Sequence, residues 1–284
     1  MNFSSPSADV FVPDGSSLAT ALTRTTHLCL AAHQDDIEIM AYPGVAACYE
    51  SAEHWFTGVI VTDGAGSSRT GKFAHYTNEE MMAVRREEQR TAARIGKFSA
   101  VVQLGHPSAD VKNSAAAGVR NDLGAILSAT RAHTVYLHNP ADKHDTHVAV
   151  LLRCLEALRA LPPAQRPARV YGCEGWRNLD WLLDADKQVL DASAHPALAA
   201  ELVAVFQSQI AGGKRYDLAT TGRRLANATF HTPHATDQFS ALTWAMDLTP
   251  LVQDEHLSVE AFTLGYLDRL RADVALRLKK FTAS

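Results

Sequence analysis

Over residues 27–176 the chain alternates short, continuous apolar segments with longer segments of helical periodicity. The apolar segments predict strands buried on both faces, and the periodic segments predict amphipathic helices. Such an alternation is typical of a three-layer α/β fold, in which helices cover both faces of a mainly parallel sheet. The predicted strands are 27–32, 55–62, 100–104, 134–137 and 169–172, and the predicted helices are 43–52, 78–95, 117–131 and 146–160.

The C-terminal third continues this pattern less regularly. Helical patterns at 195–210 and 258–280 flank a Gly/Arg-rich stretch at 210–224 and a polar segment at 229–237. Because no repeat or low-complexity linker separates the parts, we predict one domain over 1–284. Its catalytic core is about 27–176, and an extension over about 177–284 shapes the substrate pocket.

Charge and composition exclude several classes of protein. The 284 residues contain 27 Lys and Arg against 31 Asp and Glu and no basic block, which argues against nucleic-acid and membrane-surface partners. No apolar run is long enough to span a bilayer, and residues 1–17 do not resemble a signal peptide, so we expect a cytoplasmic protein. The four cysteines form no C-x-x-C pair, which favours small core residues over redox or metal roles.

A first polar cluster, His33-Gln34-Asp35-Asp36, directly follows the first predicted strand. Ligands of such sheets bind beyond the carboxyl ends of the strands. His33 and Asp36 can converge on one cation, which leaves Asp35 free to act on whatever the metal holds. A helix N-cap would explain one of these acids, but not two acids and a histidine together.

A second cluster runs from His138 to His147 and follows the fourth predicted strand. His144 and His147 can share a face at the start of the next helix. His147 also continues the apolar stripe of that helix with Leu151 and Leu155. One histidine there would fit a core position, whereas three histidines and two acids in ten residues indicate a site.

Together the clusters supply the three nitrogen and oxygen ligands expected of a catalytic zinc: His33, Asp36 and His147. Zinc would activate water and polarise a carbonyl group. Asp35 could then serve as the general base, and His144, if protonated, could stabilise an oxyanion or give a proton to a leaving amine. The combination predicts metal-assisted hydrolysis of an amide.

These motifs resemble those of the PIG-L/LmbE-like deacetylases, zinc enzymes that remove acetyl groups from N-acetylglucosamine-type sugars. The family's Ala-His-Pro-Asp-Asp-Glu stands here as 32–37 with Glu38 one place late, and its Asp-x-His-Pro-Asp-His stands as 142–147. The resemblance implies a Rossmann-like fold, the same ligands, base and histidine, and an amino-sugar conjugate as substrate. It also implies one zinc ion per chain, with Fe²⁺ or another divalent ion as the alternative.

The family pattern is not matched throughout. Gln34 replaces a proline, Ile37 displaces the acid to Glu38, and Thr146 replaces the acid that would support the histidines. Asp142 or Asp145 can take over that support. We also count Asp142 among the substrate-binding candidates.

The helix that begins after Thr77 carries Arg85 and Glu88 on its inward face, where both charges must be satisfied by each other or by a ligand. The family has a substrate-contacting arginine in this region, and the helical stripe favours Arg85 over Arg86. Four cationic residues follow in the C-terminal third: Lys214, Arg215, Arg223 and Arg224. They fit a solvent-exposed face better than a surface that binds an anionic part of the substrate, and the sequence does not decide between the two. His231 and His234 lie in a predicted loop with no assigned role.

Two other classes compete with the hydrolase. A nucleotide-binding module would need a G-x-G-x-x-G after the first strand, where the chain has His33-Gln34-Asp35 instead. A family member without activity would act as a binding protein, yet the predicted ligands and base are all present. The sequence leaves a homo-oligomer open.

Overall fold

The computed structural model describes residues 1–282, in which one eight-stranded sheet lies between layers of helices. The strands are β1 (Asp9–Phe11), β2 (His27–Ala31), β3 (Phe56–Thr62), β4 (Ala100–His106), β5 (Thr134–His138), β6 (Arg169–Cys173), β7 (Gln188–Asp191) and β8 (Leu242–Asp247). Across the sheet they lie in the order β1-β4-β3-β2-β5-β6-β8-β7. The five strands β2 to β6 are mutually parallel, while β1, β7 and β8 pair antiparallel.

The connections between strands are mostly helical. The helices are α1 (Leu18–Thr23), α2 (Asp36–Met40), α3 (Tyr42–Cys48), α4 (Asn78–Ile95), α5 (Ser108–Lys112), α6 (Ala117–Thr130), α7 (Asp145–Arg159), α8 (Pro196–Ala204), α9 (Gln207–Ile210), α10 (Tyr216–Phe230), α11 (Thr249–Gln253) and α12 (Val259–Thr282). The capping box predicted at the start of α4 is present, since Thr77 and Glu80 each accept a backbone N–H of the other. Among residues 1–282, no helix has the length and apolar character needed to cross a membrane.

Alternate residues of the central strand β2 serve two core layers. Leu28 and Leu30 pack with α6 and α7 on one face of the sheet, and Cys29 and Ala31 pack with α2, α3 and α4 on the other. Both faces are therefore apolar, which explains the continuous apolar character of the predicted strands.

The order of the strands creates a crevice at the carboxyl ends of β2 and β5. From β2 the chain proceeds outward through β3 and β4, and it then crosses to β5 and β6 on the other side of β2. Loops that leave β2 and β5 therefore diverge, and ligands of open α/β sheets bind at such switch points. His33 follows β2 and His138 ends β5, so both polar clusters of the sequence meet at this crevice.

The structure confirms the predicted α/β class, with a mainly parallel sheet and helices on both faces. The predicted strands correspond to β2–β6 and differ from them by at most two residues at any end. The helix predicted over 43–52 is too long, because α3 ends at Cys48 and Glu50 turns the chain with a φ of 59°. Three strands, β1, β7 and β8, were not predicted from the sequence, and the last two join the extension after residue 177 to the same sheet.

The N-terminal segment covers one edge of the sheet. β1 pairs with β4, with Val10 opposite Val102. Arg90 of α4 binds the carboxylate of Asp9 and so fixes the segment to the helical layer. Ser4 adds hydrogen bonds to the buried Asp122 of α6.

Candidate metal centre

The turn after β2 places three polar residues at the crevice. The backbone N–H of His33 donates to the Asp36 carboxylate at 2.8 Å, which closes the turn around the start of α2. Asp35 lies between them with a φ of 94°, a left-handed conformation that a non-glycine residue adopts only at a cost of about 1–3 kcal/mol. This backbone points the two acids in different directions, so that Asp36 faces the histidines and Asp35 faces α4.

His33, Asp36 and His147 form a nearly equilateral triangle of ligand atoms. Nδ1 of His33 lies 3.3 Å from Oδ2 of Asp36 and 3.2 Å from Nε2 of His147. The third side, from Nε2 of His147 to Oδ2 of Asp36, measures 3.4 Å. The structure thus brings together the three residues predicted as ligands from two distant parts of the sequence.

The size of this triangle fits a tetrahedral metal ion. With bonds of about 2.0–2.1 Å and tetrahedral angles, adjacent ligand atoms are separated by about 3.3 Å. The observed sides of 3.2 to 3.4 Å match that separation. Two imidazole nitrogens and one carboxylate oxygen also suit zinc or iron(II) better than calcium, which prefers a shell of oxygens.

A second carboxylate orients His147. Oδ2 of Asp142 lies 3.3 Å from Nδ1 of His147, so the opposite nitrogen is left for a cation. The backbone N–H of Trp176 donates to the same oxygen at 3.0 Å, and that of His144 donates to Oδ1 at 3.1 Å. Gly175 permits this close approach, because a Cβ there would come within 2.6 Å of Asp142 Oδ2.

Asp35 lies beside the triangle and faces a buried arginine. Its Oδ2 is 3.4 Å from the Arg85 guanidinium, which also donates to the carbonyl of Gln34. The backbone N–H of Asp35 donates to Gln89 at 3.3 Å, and Gln89 in turn donates to the buried Glu38 at 2.8 Å. Helix α4 therefore holds the turn that carries Asp35.

Burial and nearby charges shift the pKa values of Asp35 and Asp36 in opposite directions. Burial outweighs the attraction of Arg85 and raises the pKa of Asp35 to about 6. Burial also acts on Asp36, but His147 and His33 outweigh it and hold the pKa of that carboxyl far below its usual range. Asp36 is thus a permanent negative charge, and Asp35 is the acid of the pair that readily takes up a proton.

Two further histidines flank the triangle. His144, at the start of α7, stacks on His147 with ring centroids 4.5 Å apart and meets the edge of His33 at 5.0 Å. His138 is buried beneath, stacked on His147 at 3.9 Å, and its Nε2 accepts the backbone N–H of Ala32 at 2.9 Å. No individual role was predicted for His138, although its place at the end of β5 was a usable signal.

A cavity of about 570 Å³ opens over the triangle. Its floor includes His33, Asp35 and Asp36, and its walls include Arg85 and His144. Trp176 and Tyr216 add an aromatic wall that the sequence did not reveal. Asp142 is absent from the lining of this cavity, so its position supports the role of orienting His147 rather than that of contacting substrate.

Of the other residues singled out in the sequence, some line the cavity and some lie outside it. Arg85 is buried and lines the cavity, whereas Arg86 donates to the carbonyl of Ser7 outside it. Arg85 does not pair with Glu88, which binds Ser208 at 2.6 Å, and it pairs with Asp35 instead. Asp145, the other acid considered as support for the histidines, is exposed. His231 and His234 do not belong to the lining of the cavity.

Fold and site together define an α/β protein with a candidate mononuclear metal centre at the switch point of its sheet. Residues 28–158 match the family model of PIG-L, described as GlcNAc-PI de-N-acetylase. The predicted resemblance to this family is therefore confirmed over that part of the chain, which contains the whole ligand triangle and Asp35. Among curated proteins, none matches the chain in sequence.

Several solved structures share the fold. GalB, the 4-carboxy-2-hydroxymuconate hydratase from Pseudomonas putida KT2440, is 17% identical, with a TM-score of 0.58 over 79% of this chain and 96% of that one. The N,N'-diacetylchitobiose deacetylase from Pyrococcus horikoshii is 16% identical, with a TM-score of 0.59 over 77% and 82%. The A40926 pseudoaglycone deacetylase Dbv21 is 16% identical, with a TM-score of 0.55 over 78% and 97%. At these identities the likeness shows the fold, which serves a hydratase as well as deacetylases.

Proposed function

We propose that the protein is a metal-dependent N-deacetylase that hydrolyses the acetamide of an N-acetylglucosamine-type conjugate. The observation that carries the proposal is the ligand triangle of His33, Asp36 and His147 with Asp35 beside it. This arrangement lies within the segment that matches a de-N-acetylase family. The same triangle supports zinc as the metal, one ion per chain, through its ligand types and its spacing.

A divalent ion bound to the triangle would lower the pKa of a water molecule and polarise the acetamide carbonyl. Asp35, beside the triangle, is placed to accept the proton that a water molecule would lose as it adds to the carbonyl carbon. That proton would pass to the leaving nitrogen as the C–N bond breaks, so that one amide and one water would give one acetate and one protonated amine.

Arg85 and His144, which both line the cavity, can assist this chemistry. The Arg85 guanidinium keeps the Asp35 carboxylate charged in a buried position, as a base must be. His144 has a lowered pKa because of burial and because of the nearby His147. Its neutral imidazole can donate a ring N–H hydrogen bond to the oxygen of the tetrahedral carbon, and it could protonate the leaving amine only after it had taken up a proton itself.

The walls of the cavity suit a sugar. Trp176 and Tyr216 meet edge to face with centroids 5.9 Å apart, and Trp176 lies 6.2 Å from His144. An aromatic side chain at this distance from His144 can pack against the apolar face of a pyranose whose acetamide lies at the metal site. A volume of about 570 Å³ accommodates an amino sugar with a substituent.

The test combines metal analysis with an acetate-release assay on N-acetylglucosamine glycosides. Wild type and Asp35→Asn are expected to bind one metal ion each, with a rate about 10²–10⁴-fold lower for the variant. Asp36→Asn, its matched neighbour, should lose the metal itself. Wild-type protein that is purified without chelators and contains no metal would refute the proposal, as would full activity of Asp35→Asn. Acetate as product also separates a deacetylase from a hydratase on the same fold.

A further inference from the structure

The cavity over the triangle is rich in cationic side chains, although the chain as a whole has a formal net charge of −4. Six Lys and Arg residues line it against three Asp and Glu residues. The cationic set is Arg85, Lys112, Lys143, Lys214, Arg223 and Arg224, and the acidic set is Asp35, Asp36 and Glu174.

All three acids already have partners inside the protein. Asp36 faces the histidines and Asp35 faces Arg85. Glu174 accepts the backbone N–H groups of Leu179 and Trp244 and the side-chain amide of Asn227, at 2.8 to 3.1 Å. These acids therefore leave the other cations of the cavity without a counter-charge.

Two of the six cations are also engaged. Arg85 binds Asp35, and the buried Arg224 donates to the backbone carbonyls of Glu38 and Ile39 at the end of α2. Lys112, Lys143, Lys214 and Arg223 remain, and we refer to these four as the mouth cations. They come from α5, the loop before α7, the loop before α10, and α10, so distant parts of the chain bring them to one cavity.

Within residues 1–282, no carboxylate lies at ion-pair distance from any mouth cation, whereas the exposed Lys97 pairs with Glu50 at 2.7 Å. Arg223 is half-buried, and its one hydrogen bond in this part of the chain goes to the carbonyl of Gly175. Lys214 lies over the Trp176 ring at 5.2 Å. The other N–H donors of Arg223 make no hydrogen bond within residues 1–282, so they are available to an acceptor that enters the cavity.

We propose that the mouth cations bind an anionic group, a phosphate or a carboxylate, on the part of the substrate remote from its acetamide. This assignment of the remote end rests on the proposed function, while the binding of an anion does not. An anion in the cavity would supply a counter-charge, which Arg223 can bind through two parallel N–H groups and the exposed lysines through single ammonium groups. The surplus of positive charge would also draw anionic substrates toward a chain that is acidic overall.

Isothermal titration calorimetry tests the proposal without turnover, with Asp35→Asn as the background protein. The probes are N-acetylglucosamine 6-phosphate and N-acetylglucosamine 1-phosphate for a phosphate, N-acetylmuramic acid for a carboxylate, and N-acetylglucosamine as the neutral reference. We expect at least one anionic sugar to bind about tenfold more tightly than the neutral one. That advantage should shrink as sodium chloride rises from about 50 to about 500 mM.

Charge-neutralising variants connect the selectivity to these residues. Lys143→Gln combined with Lys214→Gln should reduce the advantage of the anionic sugar to less than about threefold, since each exposed charge contributes only modestly. Lys280→Gln, the same change at an exposed position of α12, should leave it intact. Equal affinity of all four sugars for the protein would overturn the proposal, as would an equal loss in the control variant.

The outcomes also separate this inference from the proposed function. Charge-selective binding without acetate release from any sugar would remove the deacetylase and keep the anion site. Acetate release from neutral and anionic sugars at equal kcat/KM, with equal affinities, would keep the deacetylase and remove the anion site.

Discussion

The carboxylate of Asp142 lies 3.3 Å from Nδ1 of His147 and so determines which imidazole nitrogen faces Asp36 and His33. Trp176 and His144 donate backbone N–H groups to the same carboxylate, which fixes it from two further sides. A metal ligand held in this way keeps both its tautomer and its ring orientation.

Replacing Asp142 by Asn should therefore weaken metal binding. Because the amide supports His147 less well and brings no negative charge, we expect metal affinity to fall about 10–100-fold. Competition with a chromophoric chelator measures this directly. Asp145→Asn is the matched control, since Asp145 is exposed in the same segment and should show wild-type affinity. Equal losses in both variants would contradict the role of Asp142.

Replacing Arg85 by Gln should move the acid limb of the pH–rate profile to higher pH. The guanidinium lowers the pKa of Asp35 against the effect of burial, so its removal raises that pKa. A smaller fraction of Asp35 is then ionised at a given pH, and the rate at neutral pH should fall about tenfold or more. Arg86→Gln on the same helix should leave the limb in place. An unshifted limb in Arg85→Gln would show that the pair does not tune the base.

Two glycine-to-alanine changes in helices should have opposite effects on stability. A Cβ on Gly44 of α3 would lie 2.5 Å from the Tyr136 ring, so Gly44→Ala should destabilise the fold by about 1–3 kcal/mol. A Cβ on Gly124 of α6 meets nothing within 4 Å, so Gly124→Ala should stabilise the fold by about 0.5–1 kcal/mol. Urea unfolding of the two variants measures the difference. Unchanged or increased stability of Gly44→Ala would refute the packing of α3 on Tyr136.

His27 should make stability depend on pH in the mildly acidic range. Burial, with the nearby His54 and His133, lowers the pKa of His27 to about 4 in the folded protein. In the unfolded chain His27 takes up a proton near pH 6.5, whereas in the folded protein it does so only near pH 4. Between these values the unfolded state binds more protons, so the free energy of unfolding is highest above pH 6.5 and falls as the pH falls toward about 4.

The matching experiment compares wild type with His27→Gln, in which this titration is absent. The free energy of unfolding should fall less steeply between pH 6.5 and 4 in the variant. His256→Gln, at a histidine whose side chain is 91% exposed, should follow the wild type. Parallel curves for wild type and His27→Gln would exclude the effect.

The local pattern of apolar and polar residues was sufficient to predict the central strands and the site residues that follow them. Uninterrupted apolar segments define β2 to β6, because only strands buried on both faces need them. His33 and Asp36 come directly after one such segment, and His147 opens the helix after another. The topology of a doubly wound sheet then brings these strand ends together.

Contacts between distant loops left no such pattern in the sequence. The support of Asp142 depends on Gly175 and Trp176 after β6, about 34 residues further along the chain. The partner of Arg85 was missed because it lies at Asp35, in the turn of another strand, rather than on its own helix. The short edge strands β1 and β7 carry too few residues for periodicity to identify them.

The short strand β1 covers the outer edge of β4, a strand of seven residues that are all buried. Without β1, the edge of β4 would present a row of unpaired backbone groups beside apolar side chains, which is a template for strands of other molecules. Arg90 and Asp9 hold this cover in place. Residues 9–11 therefore protect the chain against edge-to-edge aggregation, and they do so at the opposite end of the sheet from β7.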